Sequence, residues 1–209
     1  MIHIDLNALD ATSIYKLLSG SIIPRPVAWV TTLNEDGVLN AAPFSFFNAA
    51  GGPFVSLSIG RNEGKLKDTS RNLLNLNEAV IHITDLENVN DMSDTAINLP
   101  SDTSEVDYFK LETVASHSVK VPGLKNARIR LEATLHQHIE LENNGFINDF
   151  FLLKVTDIHL AHSVFDEGKN YILVDKLEPV ARLSGNDYAK LGDIFTINRK
   201  TKATSVFSL

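Results

Sequence analysis

Residues 128–142 constrain the fold more than any other stretch. Ile129, Leu131, Ala133, Leu135, Ile139 and Leu141 stand at odd positions, and Arg128, Arg130, Glu132, Thr134, His136, His138, Glu140 and Glu142 at even ones. That period of two is the mark of a long strand with one buried and one wet face. Asn143-Asn144-Gly145 reads as a turn. Residues 149–162 return as the antiparallel partner, with a bulge near Asp157 where the alternation slips.

Shorter pieces repeat the theme. Residues 26–33 are rich in β-formers, Asn34-Glu-Asp-Gly37 is a turn whose glycine can take positive φ, and residues 38–47 form a second strand, giving a hairpin. Residues 54–60 and 79–84 read as further strands. Residues 10–19 carry Ile14, Leu17 and Leu18 at helical spacing, with Gly20 as a C-cap. A short helix starts at Asp68 as N-cap, uses Leu73, Leu74 and Leu76 as its apolar side, and ends at Asn75 and Asn77. Residues 86–97 read as helix, stopped before Pro100, and the polar stretch 101–121 is ambiguous. Many strands, tight turns and few short helices predict a mainly β chain, an antiparallel sheet closed into a barrel. Such a small barrel has little room inside, so a ligand belongs on its outer wall, under a helix or at a subunit interface.

At ~150 residues per domain, 209 residues predict a single domain, 1–209, with an N-terminal helix and a C-terminal extension. A chain of this size buries about 70% of its unfolded surface, enough for a core without staples. The absence of cysteine excludes disulfides, thiolate metal sites and a Cys nucleophile. The net charge of −7 argues against nucleic acid and anionic membrane as general partners. No apolar run approaches the ~18 residues of a membrane span, and the first ten residues lack a signal-peptide pattern, so the expected location is the cytoplasm.

Two stretches carry chemistry. Arg61, Lys65, Lys67 and Arg71 concentrate around a helix start in an acidic chain, with Thr69 and Ser70 adding hydroxyls. Free amides, the helix dipole and several cations suit an anion, best a phosphate; a solvated loop remains the plain alternative. The spacing of Gly60, Gly64 and Lys65 misses the Walker pattern, with Leu66 where Ser or Thr belongs. Ala41-Ala-Pro-Phe-Ser-Phe-Phe-Asn48 sets three phenylalanines beside Ser45 and Asn48, which suits a flat heterocycle or equally an aromatic core strand. His136 and His138 share a strand face without a third metal ligand at matching spacing, and nothing orients His159 or His162. There is no Gly-x-Ser-x-Gly elbow and no Gly-x-Gly-x-x-Gly fingerprint.

Taken in order, Arg25-Pro-Val-Ala-Trp-Val-Thr-Thr32, the Asp36-Gly37 turn, Asn40-Ala-Ala-Pro-Phe-Ser-Phe-Phe-Asn48, Ser58-Ile-Gly-Arg61 and Lys67-Asp-Thr-Ser-Arg-Asn72 resemble the flavin reductase-like family of FMN-binding split barrels. Arg182-Leu-Ser-Gly-Asn-Asp-Tyr188 resembles its closing motif. The chain departs from the family in Gly51-Gly52-Pro53, where a Pro-Pro pair is common, and in Ser184, which replaces a glycine. The resemblance implies a homodimer of six-stranded antiparallel Greek-key barrels with FMN near the interface. It implies that Ser45 and Thr69 donate to the phosphate and that Arg61 and Lys67 neutralise it. Asp68 would cap the helix and orient the loop. The Thr31-Thr32 backbone, Phe46 and Asn48 would face the ribityl chain or ring. Trp29 is read as core.

The function implied is an FMN-dependent oxidoreductase drawing on NADH or NADPH and passing electrons to a small-molecule or protein acceptor. The alternatives are an FMN electron carrier of the flavoredoxin type and a barrel that has lost its cofactor and serves as an interaction module.

Overall fold

The computed structural model of the chain describes residues 1–143 and 146–198, so the Asn144-Gly145 turn lies outside the described residues. Seven strands form the main sheet: β1 (Ala28–Leu33), β2 (Leu39–Phe44), β3 (Phe47–Gly51), β4 (Phe54–Gly60), β5 (Glu78–Ile83), β6 (Ile129–Asn143) and β7 (Phe146–Leu160). Their order is β2-β1-β5-β6-β7-β4-β3, and every neighbouring pair is antiparallel. The main sheet thus has seven strands where six were expected, because residues 38–47 make two strands. The ladder with β1 runs out at the Ala28–Phe44 pair, so the chain beyond Phe44 has nothing left to pair with on that side. It crosses through Ser45 and Phe46 to the opposite edge, where the Ser58 N–H donates to the Phe46 carbonyl at 2.8 Å. The two edges of the sheet are therefore joined by two residues, and the sheet must curl into a barrel.

The barrel interior follows from the alternation. Val55, Leu57 and Ile59 of β4 point inward with Phe151 and Leu153 of β7, Val30 of β1, Ile81 of β5 and Ala133 of β6. Full burial of one such large side chain is worth ~1.5–3 kcal/mol. The β1–β2 hairpin turns on Gly37 at φ 82°, with Asn34 Oδ1 accepting from the Val38 N–H at 2.7 Å.

The β6–β7 pair contains the expected bulge at Thr156, and a second one. Leu153 pairs with Leu135 but Leu152 with Gln137, leaving His136 as an extra residue. One extra residue exchanges the two faces of a strand. Before it, Leu131, Ala133 and Leu135 face the core. Beyond it, His138 and Glu140 lie opposite the buried Phe151 and Asp149, while Ile139 and Leu141 turn outward and are exposed. The odd positions are thus buried only over the first half of the strand.

Helix α1 (Ala11–Ser21) is capped by Asp10, which accepts from the Ser13 N–H at 2.9 Å. It runs through Gly20, because Arg25 takes over the role expected of a C-cap glycine. That guanidinium donates to the Ser19 carbonyl, to Ile22 at 2.7 Å and to Leu183 at 2.7 Å. Helix α2 (Asp68–Leu76) ends at Asn77 in the left-handed region, at φ 60°. Its N-cap is Lys67 rather than Asp68, whose carboxylate pairs instead with Arg71 one turn on. Helix α3 is confined to Val89–Asp94, because Asp85 and Asn88 bond each other's backbone amides and hold the chain in a turn before it. The ambiguous stretch contains helix α4 (Glu105–Tyr108), capped by Ser104. Trp29 is core, its indole N–H donating to Thr95 Oγ1 at 2.9 Å. Among the described residues no helix is long and apolar enough to cross a membrane.

Candidate functional site

At the start of α2 the first backbone bond is Arg71 N–H to the Lys67 carbonyl at 3.0 Å. The amides of Asp68, Thr69 and Ser70 precede it, and Lys67 supplies no side-chain cap. These are the donors that make a helix start attractive to an anion. Asn40 Nδ2 donates to Thr69 Oγ1 at 2.9 Å, which leaves the Thr69 O–H to donate outward. Behind it, Thr32 Oγ1 accepts from Asn72 Nδ2 at 3.1 Å. Ser70 Oγ is buried beside this helix start without a partner. Lys67 is exposed and forms no ion pair among the described residues.

Asn40, Lys67, Asp68 and Thr69 line a cavity of about 450 Å³ between β2, the α2 start and residues 95–99. Glu105 closes one side; it accepts from the Ala41 N–H at 3.1 Å, and burial pushes its carboxyl up. A larger cavity of about 550 Å³ adjoins it, sharing Pro43, Phe44, Asn62 and Lys67. It lies on the outer wall of the barrel. Ser58, Gly60 and Asn148 form its floor, Ser45, Phe46 and Tyr15 one side, and Arg182, Leu183 and Gly185 another. Both volumes fall in the ~300–1,000 Å³ range of cofactor sites. Tyr15 and Phe46 approach with ring centroids 5.9 Å apart. Arg182 lies over the Tyr188 ring at 4.7 Å and donates to its hydroxyl at 2.5 Å.

Arg61 reaches the rim of the larger cavity with its charge already engaged. Its Nε is 3.1 Å from Asp149 Oδ2, one Nη is 2.8 Å from Oδ1, and the same Nη also pairs with Glu140. Asp149 is fully buried and is 2.9 Å from His138 Nε2 as well. Burial alone would push the Asp149 carboxyl up; the bonds from Arg61 and His138 outweigh it and hold it below its ordinary value.

The structure therefore brings together Ser45, Phe46, Arg61, Lys67, Asp68 and Thr69 around the two cavities. It does not bring Thr31, Thr32 or Asn48 to either lining. Thr31 and Thr32 are fully buried, and the Thr31 hydroxyl donates to the Pro122 carbonyl at 2.9 Å. Asn48 is exposed on β3 and accepts from the Ala49 N–H. Tyr15, Asn62, Glu105 and Asn148 join the site without any signal in the sequence, whereas Arg182 stood in the closing motif.

The family model described as "Flavin reductase like domain" matches residues 19–177. The uncharacterized protein YwrF of Bacillus subtilis (strain 168) is 46% identical over 195 residues, covering 91% of this chain and 95% of YwrF. Component B of nitrilotriacetate monooxygenase from Bacillus cereus has a similar structure, with a TM-score of 0.90 and 41% identity over 94% of this chain and 98% of that one. The 2-nitrobenzoate 2-nitroreductase NbaA of Pseudomonas fluorescens gives a TM-score of 0.87 and 26% identity over 98% and 100%. Fold, motifs and these matches agree, and the chain belongs to the flavin reductase-like family.

Proposed function

We propose that the joined cavities hold FMN and that the protein is an FMN-dependent oxidoreductase, taking electrons from NADH or NADPH and passing them to a flavin or another acceptor. The observation that carries this reading is the start of α2. Uncapped amides, a Lys67 with no ion pair among the described residues and the donating Thr69 hydroxyl face a cavity that continues into an aromatic one. The donor set fits one phosphate monoester joined to a flat ring, and the chain has no glycine-rich pyrophosphate turn, which favours FMN over FAD.

In this reading Lys67, the α2 amides and Thr69 bind the phosphate, each charge-assisted bond contributing ~1.5–3 kcal/mol. Thr32 and Asn72 hold this corner from behind. Ser45 and Asn148 offer hydrogen bonds toward the polyol and ring, and Phe46 and Tyr15 offer apolar surface. Arg61 fixes the loop through Asp149 rather than spending its charge on the ligand. FMN supplies the two-electron chemistry when bound, so hydride transfer needs no acid–base pair from the chain. The similarity to a monooxygenase component and a nitroreductase supports a flavin-linked reductase.

The test is a titration with FMN, FAD and riboflavin by fluorescence quenching, then anaerobic addition of NADH and NADPH. FMN is expected to bind tightest and to be bleached by at least one nicotinamide. Tenfold tighter FAD binding would overturn the cofactor assignment. Reduction by protein donors alone would make the protein an electron carrier.

A further inference from the structure

The larger cavity carries more positive charge than its phosphate corner uses. Arg25, Arg61, Lys67 and Arg182 line it and no Asp or Glu does, in a chain with 26 acidic and 19 basic residues. Asp149 and Glu140 neutralise Arg61, and Lys67 stands at the start of α2. Arg25 and Arg182 remain. Neither lines the smaller cavity, and neither forms an ion pair among the described residues.

The fold sets these two residues side by side. Two short antiparallel strands, Arg25–Pro26 and Val180–Arg182, put Arg25 directly opposite Arg182. Like charges in that position repel. Arg25 is 7% exposed and its acceptors are all neutral: the Ser19, Ile22 and Leu183 carbonyls, with Ser45 Oγ at 3.5 Å. Its guanidinium also lies over the Phe46 ring at 5.6 Å. Arg182 donates to the Gly185 carbonyl and the Tyr188 hydroxyl, again neutral groups. The carbonyl end of α1 offsets part of the Arg25 charge through the helix dipole. A desolvated cation without an anion is costly, so a wall built from two of them suits an occupant that carries negative charge.

On the FMN reading above, hydride transfer from NADH or NADPH places two electrons and one proton on the oxidised ring and leaves NAD⁺ or NADP⁺. The ring gains one negative charge, while the phosphate keeps its own. Lys67 and the α2 amides therefore see the same phosphate in both forms, and only groups near the ring can tell them apart. We propose, resting on that reading, that Arg25 and Arg182 form a cationic wall that binds the reduced, anionic ring of FMN more tightly than the oxidised one. FMN then stays in place between reduction and reoxidation, and the electron acceptor comes to the cavity rather than receiving a released flavin. A unit charge acting across ~6–10 Å at an effective dielectric of ~20 changes an equilibrium constant roughly 10- to 100-fold.

Fluorescence quenching gives the affinity for oxidised FMN, and anaerobic ultrafiltration the affinity for dithionite-reduced FMN. The wild type is expected to hold the reduced form at least ~10-fold tighter, a rise of ~30 mV in the potential of this two-electron couple on binding. Arg182→Gln is expected to lower that ratio ~10-fold and to leave the preference for FMN over riboflavin unchanged, whereas Arg182→Lys keeps the ratio. Arg25→Gln and Arg25→Lys divide in the same way; if either fails to fold, the wild-type ratio and the Arg182 pair still decide. A purely structural role would weaken both redox forms equally and leave the ratio alone. A wild type that binds both forms equally, an Arg182→Gln variant with an unchanged ratio, or an Arg182→Lys variant that behaves like Arg182→Gln would each overturn the proposal while leaving FMN in the cavity. A protein that binds neither form removes the FMN reading and the proposal with it.

Discussion

Lys67 and Arg61 are both cations at the cavities, and their removal should have opposite consequences. Lys67 is exposed and forms no ion pair among the described residues, so Lys67→Ala changes stability by no more than ~0.5 kcal/mol. If Lys67 binds a phosphate, losing one charge-assisted bond costs ~1.5–3 kcal/mol, or roughly 10- to 150-fold in FMN affinity. Riboflavin, which lacks the phosphate, should bind as before. Arg61 is only 14% exposed at its side chain and faces the fully buried Asp149. Arg61→Ala leaves that carboxylate without its main partner, a change that typically costs ~3–5 kcal/mol. At roughly 2–4 °C per kcal/mol for a chain of this size, Tm should fall by about 6–20 °C. Adding Asp149→Asn removes the stranded charge and should restore part of that loss.

Acid separates the two further. Because Asp149 is held below its ordinary value, its contribution is complete above the unfolded value of ~3.9. It is lost as pH falls through the lower folded value. The gap between wild type and Arg61→Ala should therefore be full at pH 7 and narrow below about pH 4. Melting curves by circular dichroism and flavin titrations on the same samples make the measurement. An Arg61→Ala variant that keeps its Tm and loses only FMN would refute the assignment of roles, as would a Lys67→Ala variant that loses riboflavin as severely as FMN.

Glu132 is buried, which raises its carboxyl, but amides of His117 and Ser118 and the His159 ring hold it at about 2. Its stabilisation is present above the unfolded value of ~4.3 and lost on acidification toward 2, so Glu132→Gln should flatten the acid unfolding curve in that window and lower Tm at neutral pH. His82 is lowered to about 4 by burial, its Nε2 accepting from the Leu124 N–H at 2.8 Å and its Nδ1 lying 2.7 Å from the Trp29 carbonyl. The unfolded chain then takes up that proton first, so stability should decline as pH falls from ~6.5 toward 4, and proton NMR should show the ring neutral above about pH 5.

The strands were legible because a half-buried strand writes its period into the sequence. The β4 span matches its reading, and β6 and β5 are each displaced by a single residue. The bulge at Thr156 was legible for the same reason. The bulge at His136 was not, because it arises from how β6 pairs with β7 and leaves the alternation intact. The break at Ser45 was hidden too: Phe44, Phe46 and Phe47 all suit a strand, and only the end of the β1 ladder forces the chain across the barrel.

The sequence by itself determined the strand-rich barrel, the turn at Gly37, a short helix beginning close to Asp68 and the basic character of the stretch around it. All of these depend on local pattern and backbone chemistry. Tertiary structure alone decided which of those basic residues can meet a ligand. Arg61 and Asp149 are 88 residues apart in the chain and adjacent in the barrel, so one cation is neutralised while Lys67 is left open. The availability of a charge is set by its nearest opposite charge, and that neighbour comes from whichever strand the fold lays alongside.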